Sequence, residues 1–137
     1  MAADPDCIFC KIVAGEIPAT RVAESERAIA FMDISPATRG HTLVIPREHS
    51  TDLTVILAED LMATTLLAQR VAGRQLEVLE ADGVNLLNSC RPAAWQTVFH
   101  FHLHVIPRYD GDPLRLPWVP EPGDADAIAA TGRELAF

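Results

Sequence analysis

At 137 residues the chain has the size of one ordinary domain, enough to bury about two-thirds of the surface its unfolded form would expose. Its 49% hydrophobic and 22% charged residues are the balance of a soluble globular protein, and no apolar run approaches the roughly 20 residues of a membrane-spanning helix. A formal net charge of −8 argues against nucleic acid or an anionic membrane as partner, because both are held by basic surface. A small phosphorylated ligand stays open, since a few backbone amides can hold one.

The start, M-A-A-D-P-D-C, carries neither a basic stretch nor a long apolar one, so no secretory signal is read and a cytoplasmic location is expected. Cys7 and Cys10 are too close for a useful loop-closing disulfide, and C-x-x-C in a reducing compartment points to metal or redox chemistry. Two buried small residues on a helix are the plainer alternative. Cys90 is an odd thiol.

Asp6 is placed to cap a short helix over C-I-F-C-K-I-V-A that Gly15 stops, with Ile8, Phe9, Ile12 and Val13 on its apolar face. Arg21 to Glu24 and Ala28 to Met32 read as a hairpin around Ser25-Glu26-Arg27. The turn-rich D-I-S-P-A-T-R-G leads into H-T-L-V-I-P, a short buried strand closed by Pro46. From Glu59 to about Glu80 apolar residues recur every three or four positions, which predicts one long amphipathic helix. V-N-L-L-N-S is a strand and Cys90 to Gln96 a loop. A short terminal helix capped by Asp124 or Asp126 ends the chain. Five strands in antiparallel hairpins, one long helix and one or two short ones make an α+β domain spanning 1–137, with the long helix on the sheet's apolar face.

The segment V-F-H-F-H-L-H-V-I-P-R, Val98 to Arg108, carries the chemistry. In a strand His100, His102 and His104 share one face, and Phe99, Phe101, Leu103 and Val105 share the other. His41 and His49 flank T-L-V-I-P, so all five histidines lie in or beside two strands. Adjacent imidazoles on a buried sheet are costly unless they meet ligand, metal or water. Two chemistries fit the row: a zinc site with an open position for a hydrolytic water, or a central histidine that attacks phosphorus while a neighbour donates to the phosphate oxygens. Spacing does not separate them.

The run H-F-H-L-H-V-I resembles the His-φ-His-φ-His-φ-φ pattern of the histidine triad (HIT) superfamily of nucleotide hydrolases and transferases. The resemblance extends to C-I-F-C-K-I-V-A-G-E-I-P-A, F-M-D-I-S-P, R-G-H-T-L-V-I-P-R-E-H and Q-T-V, in the same order along the chain. It implies a HIT-like fold with 110–137 as a variable tail, and a two-fold homodimer in which the protomers' sheets join. It also implies hydrolysis at the α-phosphate of purine nucleoside phosphoramidates or dinucleoside polyphosphates, with no catalytic metal. His102 would be the nucleophile forming a nucleotidyl-histidine intermediate. His104 would serve the phosphate oxygens, Gln96 and Thr97 the leaving-group side, and Asn88 the phosphate or ribose. Ile8, Phe9, Ile12, Phe31 and Ile34 would wall the base and Asp33 would bind the ribose hydroxyls, although periodicity alone puts Ile8, Phe9, Ile12 and Phe31 in the core. In some bacterial members a structural zinc sits on such a C-x-x-C, and its ligands here would be Cys7, Cys10, His49 and His100. His41 would lie near the triad's hydrogen-bond network.

One departure stands out. Trp95 occupies the place before Gln-Ser/Thr where the family usually has Gly, which predicts a differently built loop because Trp is strained at positive φ. It also supports a further reading, a nucleotide-binding protein with vestigial catalysis, beside the zinc-hydrolase reading of the row.

Overall fold

The computed structural model describes residues 3–137. Its elements follow the chain as α1 (Ile8–Val13), β1 (Arg21–Glu24), β2 (Ala28–Met32), β3 (Thr42–Pro46), α2 (Ala58–Val78), β4 (Gly83–Leu87), β5 (Leu103–Arg108) and α3 (Ala125–Leu135), with a 3-10 turn at Pro92–Ala94. The strands form one antiparallel sheet in the order β1-β2-β3-β5-β4. The α+β architecture, the hairpin and the single long helix are as the sequence predicts. No helix among the described residues is long and apolar enough to cross a membrane.

Strand alternation gives the sheet two apolar faces, and each is covered by a helix. Ala28 and Ala30 of β2, Val44 of β3 and Leu103 and Val105 of β5 pack with Phe101 against Leu67, Ala68 and Val71 of α2. The small alanines let α2 lie close to the sheet. On the opposite face Ile29 and Phe31 of β2 and Leu43 and Ile45 of β3 pack with Phe9, Cys10 and Ile12 of α1. The short first helix therefore sits on the face that carries the histidines, since Leu43 pairs with His104.

Two local expectations are corrected. The cap of α1 is Cys7, whose Sγ accepts from the Cys10 amide at 3.4 Å, whereas the Asp6 amide is turned to Asp4 Oδ1. The histidine segment is also not one strand. Only His104 lies in β5, and His100 and His102 precede it. The ladder with β3 ends at Val44–Leu103, and the Phe101 amide donates instead to Ser50 O at 2.6 Å, in the loop beyond β3. In-and-out alternation survives over Phe101, Leu103 and Val105, but Phe99, beyond the end of the ladder, is 46% exposed rather than core.

The terminal helix α3 is capped by Asp124, whose Oδ2 accepts from the Ala127 amide at 2.9 Å, and it buries no residue.

Candidate active site

His102 and His104 lie side by side with ring centroids 5.1 Å apart, and their hydrogen-bond partners give them opposite tautomers. His102 is buried, and its Nδ1 lies 2.7 Å from the carbonyl oxygen of His100. A carbonyl only accepts, so Nδ1 carries the proton and Nε2 keeps a free lone pair. The second chain of contacts starts at a backbone donor. The Ala37 amide donates to His41 Nδ1 at 3.0 Å, which leaves the proton of neutral His41 on Nε2. That nitrogen lies 2.9 Å from His104 Nδ1 and donates to it, so neutral His104 carries its own proton on Nε2. The pair thus offers one bare ring nitrogen and one ring N–H. Asp33 Oδ2 stands 3.5 Å from His41 Nε2 and completes the row.

Burial keeps these rings neutral. Desolvation lowers the pKa of His102, with its hydrogen bond to His100 opposing, and lowers that of His41, with Asp33 opposing. His104 is pushed down to about 4, first by burial and then by its neighbours His102 and His41.

His100 is fully buried and faces away from this pair. Its Nε2 donates to Pro46 O at 2.9 Å, and its Nδ1 lies 3.5 Å from both Cys7 Sγ and Cys10 Sγ. His49 Nδ1 lies 3.4 Å from Cys10 Sγ, with its Nε2 3.9 Å from Asp4 Oδ2. One donor atom from each of Cys7, Cys10, His49 and His100 falls within 4.8 Å of all the others. A tetrahedral site with Zn–S near 2.3 Å and Zn–N near 2.0–2.1 Å needs S···N edges of roughly 3.6 Å, so these separations suit a divalent ion at the centre. Both imidazoles present Nδ1 inward and turn Nε2 to an oxygen, the outer-shell arrangement that orients a ligating histidine. The Asp4 amide donates to Cys10 Sγ at 3.4 Å. Burial pushes the Cys10 thiol up, so without a cation the thiolate is disfavoured there.

Asp33, His41 and His104 also bring donor atoms within 4.8 Å of one another. Here the surroundings oppose a metal. A metal on His41 Nε2 requires the proton on Nδ1, which would then point at the Ala37 N–H.

The remaining residues singled out in the sequence divide clearly. Phe9 packs edge-on to His102 at 5.1 Å and to Phe31 at 5.6 Å, so it joins the core to the histidine pair. Phe31 and Ile12 are buried beside it, Ile8 is half exposed, and Ile34 is 97% exposed. Asp33 Oδ1 accepts from the Ser35 amide at 2.7 Å. Asn88 Nδ2 donates to His102 O at 3.0 Å, leaving its Oδ1 buried without a partner among the described residues. Gln96 is buried and spans the preceding loop. Its Nε2 donates to Thr51 O and Val98 O, and its Oε1 accepts from the Arg91 amide at 2.6 Å. Thr97 is exposed. Trp95 does not avoid the backbone expected of glycine: it adopts φ +74° and ψ +18°. The partner of His41 is not readable from the sequence, because its meeting with His104 depends on the β3–β5 register.

The depressed histidine pKa values fix a sign for stability. An unfolded histidine titrates near 6.5 and folded His104 near 4, so between these values the unfolded chain binds more protons. The stabilisation is complete above about pH 6.5 and is lost as pH falls toward about 4. Urea midpoints are expected to be lower at pH 5 than at pH 7, with a smaller difference in His104→Gln; equal slopes in both proteins would contradict the assignment.

The chain resembles known proteins along most of its length. The HIT domain family matches residues 14–111. Adenosine 5'-monophosphoramidase of Schizosaccharomyces pombe is 34% identical over 131 residues, covering 95% of this chain and 96% of that protein. Among solved structures, SMU.412c from Streptococcus mutans superposes with a TM-score of 0.92 at 36% identity, over 98% of this chain and 85% of that one. A zinc-bound histidine triad family protein from Mycobacterium smegmatis gives 0.78 at 46% identity, over 85% and 84%. With its sheet order, its His-x-His-x-His segment and this breadth of match, the chain belongs to the histidine triad (HIT) family.

Proposed function

We propose that the protein is a nucleotide hydrolase that cleaves purine nucleoside phosphoramidates or dinucleoside polyphosphates at the α-phosphorus, through a nucleotidyl intermediate on His102. What carries this reading is the hydrogen bonding of the pair, His102 Nδ1 to the His100 carbonyl and His104 Nδ1 to His41 Nε2, which favours a bare His102 Nε2 beside a His104 Nε2–H. His102 Nε2 attacks phosphorus as the bond to the departing amine or phosphate breaks, and the leaving group takes up a proton from solvent past Thr97. Water then attacks the phosphorus and gives up a proton to solvent, the N–P bond breaks, and the nucleoside monophosphate leaves with His102 neutral again. His104 donates its Nε2–H to a phosphate oxygen throughout, and His41 holds it in the tautomer that can. The Nδ1–H bond to the His100 carbonyl stabilises the positive charge that grows on His102 as the N–P bond forms.

The other residues have supporting parts. Asp33, an acceptor when ionised, binds the ribose diol. Ile8, Phe9, Ile12, Phe31 and Ile34 form the base side, with Phe9 and Ile12 beneath it rather than at its rim. Asn88 reaches the phosphate side from the end of β4, and Gln96 shapes the loop that Thr97 follows. The relative's monophosphoramidase activity supports the substrate class. Pairing of two copies through edge strand β4, where Leu86 is exposed, fits a homodimer.

Cys7, Cys10, His49 and His100 are proposed to hold a structural zinc. The donor chemistry and separations support this, as does the zinc-bound relative. The ion would tie α1 to the histidine segment and carries no part of the bond breaking.

Two experiments test these readings. Adenosine 5'-phosphoramidate mixed with the protein in excess chelator and quenched rapidly is expected to leave an adenylyl adduct on His102 by mass spectrometry, absent in His102→Ala. Loss of all activity to chelator while the fold persists would instead favour metal-assisted hydrolysis. Metal analysis of protein purified without added zinc should find about one zinc per chain, and Cys10→Ser should lose both the metal and thermal stability, because such binding is coupled to folding. Metal-free protein of unchanged stability would end the zinc assignment.

A further inference from the structure

The loop between β4 and the histidine segment holds two side-chain-bearing residues in backbone conformations that favour glycine. Arg91 has φ +75° and ψ +161°, and Trp95 has φ +74° and ψ +18°. Such conformations are disfavoured for residues with a Cβ and persist only when the surroundings over-determine them. Here they do. Arg91 O accepts from the Ala94 amide at 3.0 Å and the Gln96 amide at 3.2 Å. The Trp95 amide donates to Pro92 O at 3.0 Å, and the buried Gln96 side chain locks the loop from below. The strain at Trp95 is not repaid by packing, because the residue is 65% exposed. The loop thus holds a large flat indole out in solvent.

The sheet order places this loop relative to the histidine pair. In the order β1-β2-β3-β5-β4, Phe31 on β2 and Asp33 just beyond it lie on one side of the histidine pair, with α1 above them. The Trp95 loop leaves β4 on the other side: Leu87 pairs with His104 and Asn88 bonds His102 O. A nucleotide whose nucleoside lies toward α1 and β2 and whose phosphorus meets His102 extends its leaving group toward β4 and this loop.

We propose that Trp95 is a specificity-determining residue whose indole stacks on an aromatic ring carried by the leaving group. The inference rests on nucleotidyl transfer at His102 and narrows its substrate class. Two leaving groups share the required chemistry, the second base of a dinucleoside polyphosphate and the aromatic amine of a phosphoramidate. Trp95 acts on leaving-group choice, not on phosphorus.

The test compares kcat/KM for adenosine 5'-phosphoramidate, its tryptamine phosphoramidate and diadenosine tetraphosphate in wild type, Trp95→Gly and Trp95→Phe. Stacking on an aromatic side chain changes binding by roughly 5- to 150-fold. In Trp95→Gly the ratio of an aromatic substrate to the plain phosphoramidate is therefore expected to fall at least fivefold, and Trp95→Phe should restore most of it. A fall confined to the tryptamine compound or to diadenosine tetraphosphate identifies which leaving group is recognised. Trp95→Gly should also melt within a few degrees of wild type, since the indole is not packed. An unchanged ratio, or a large loss of melting temperature, would overturn the proposal. If wild type forms no adduct on His102 and cleaves none of the three, the nucleotidyl-transfer reading itself fails, which is a separate outcome.

Discussion

The arrangement depends on His100, a residue that on the proposed reading never touches substrate. Its carbonyl holds the Nδ1 proton of His102, its Nε2 donates to Pro46 O at the end of β3, and its Nδ1 faces the two cysteines of the first helix. One buried residue therefore links β3, α1 and His102. The contact with Pro46 matters because the regular ladder has already ended at Val44 and Leu103, so side-chain and loop hydrogen bonds take over from strand pairing there. A metal at the Cys7 site would stiffen the backbone that sets the His102 tautomer.

His104 is set from another direction. Its orientation runs back through His41 to the amide of Ala37, in the turn before β3. Two neighbouring imidazoles thus receive opposite tautomers because one is governed by a carbonyl and the other, through a relay, by an N–H. The same relay explains why Asp33, His41 and His104, though close enough for a metal, are better suited to passing hydrogen bonds.

Much of the fold is legible in the sequence because local chemistry and tertiary need agree. The polar turn Ser25-Glu26-Arg27 marks the hairpin, and three- and four-residue apolar spacing marks α2. Asp124 is the cap of α3. The errors fall where tertiary contacts decide. Alternation over Val98 to Arg108 reads as strand, yet only the part from Leu103 onward has a partner strand. Cys7 displaces Asp6 as the cap of α1 and turns the acidic side chain out. At the site, the clustering of histidines and the C-x-x-C are visible as patterns. The His41–His104 contact is not, because it joins residues 63 positions apart through sheet register. Trp95 is visible as an unusual residue, but its left-handed backbone follows from Gln96 and Arg91 closing the loop.

The central claim concerns where three protons sit, and nitrogen-15 NMR of the histidine side chains in metal-loaded protein reads it directly. Near pH 7 the account requires His102 protonated on Nδ1 and bare on Nε2, with His41 and His104 both protonated on Nε2. A His102 protonated on Nε2, with no lone pair left to attack phosphorus, would contradict it.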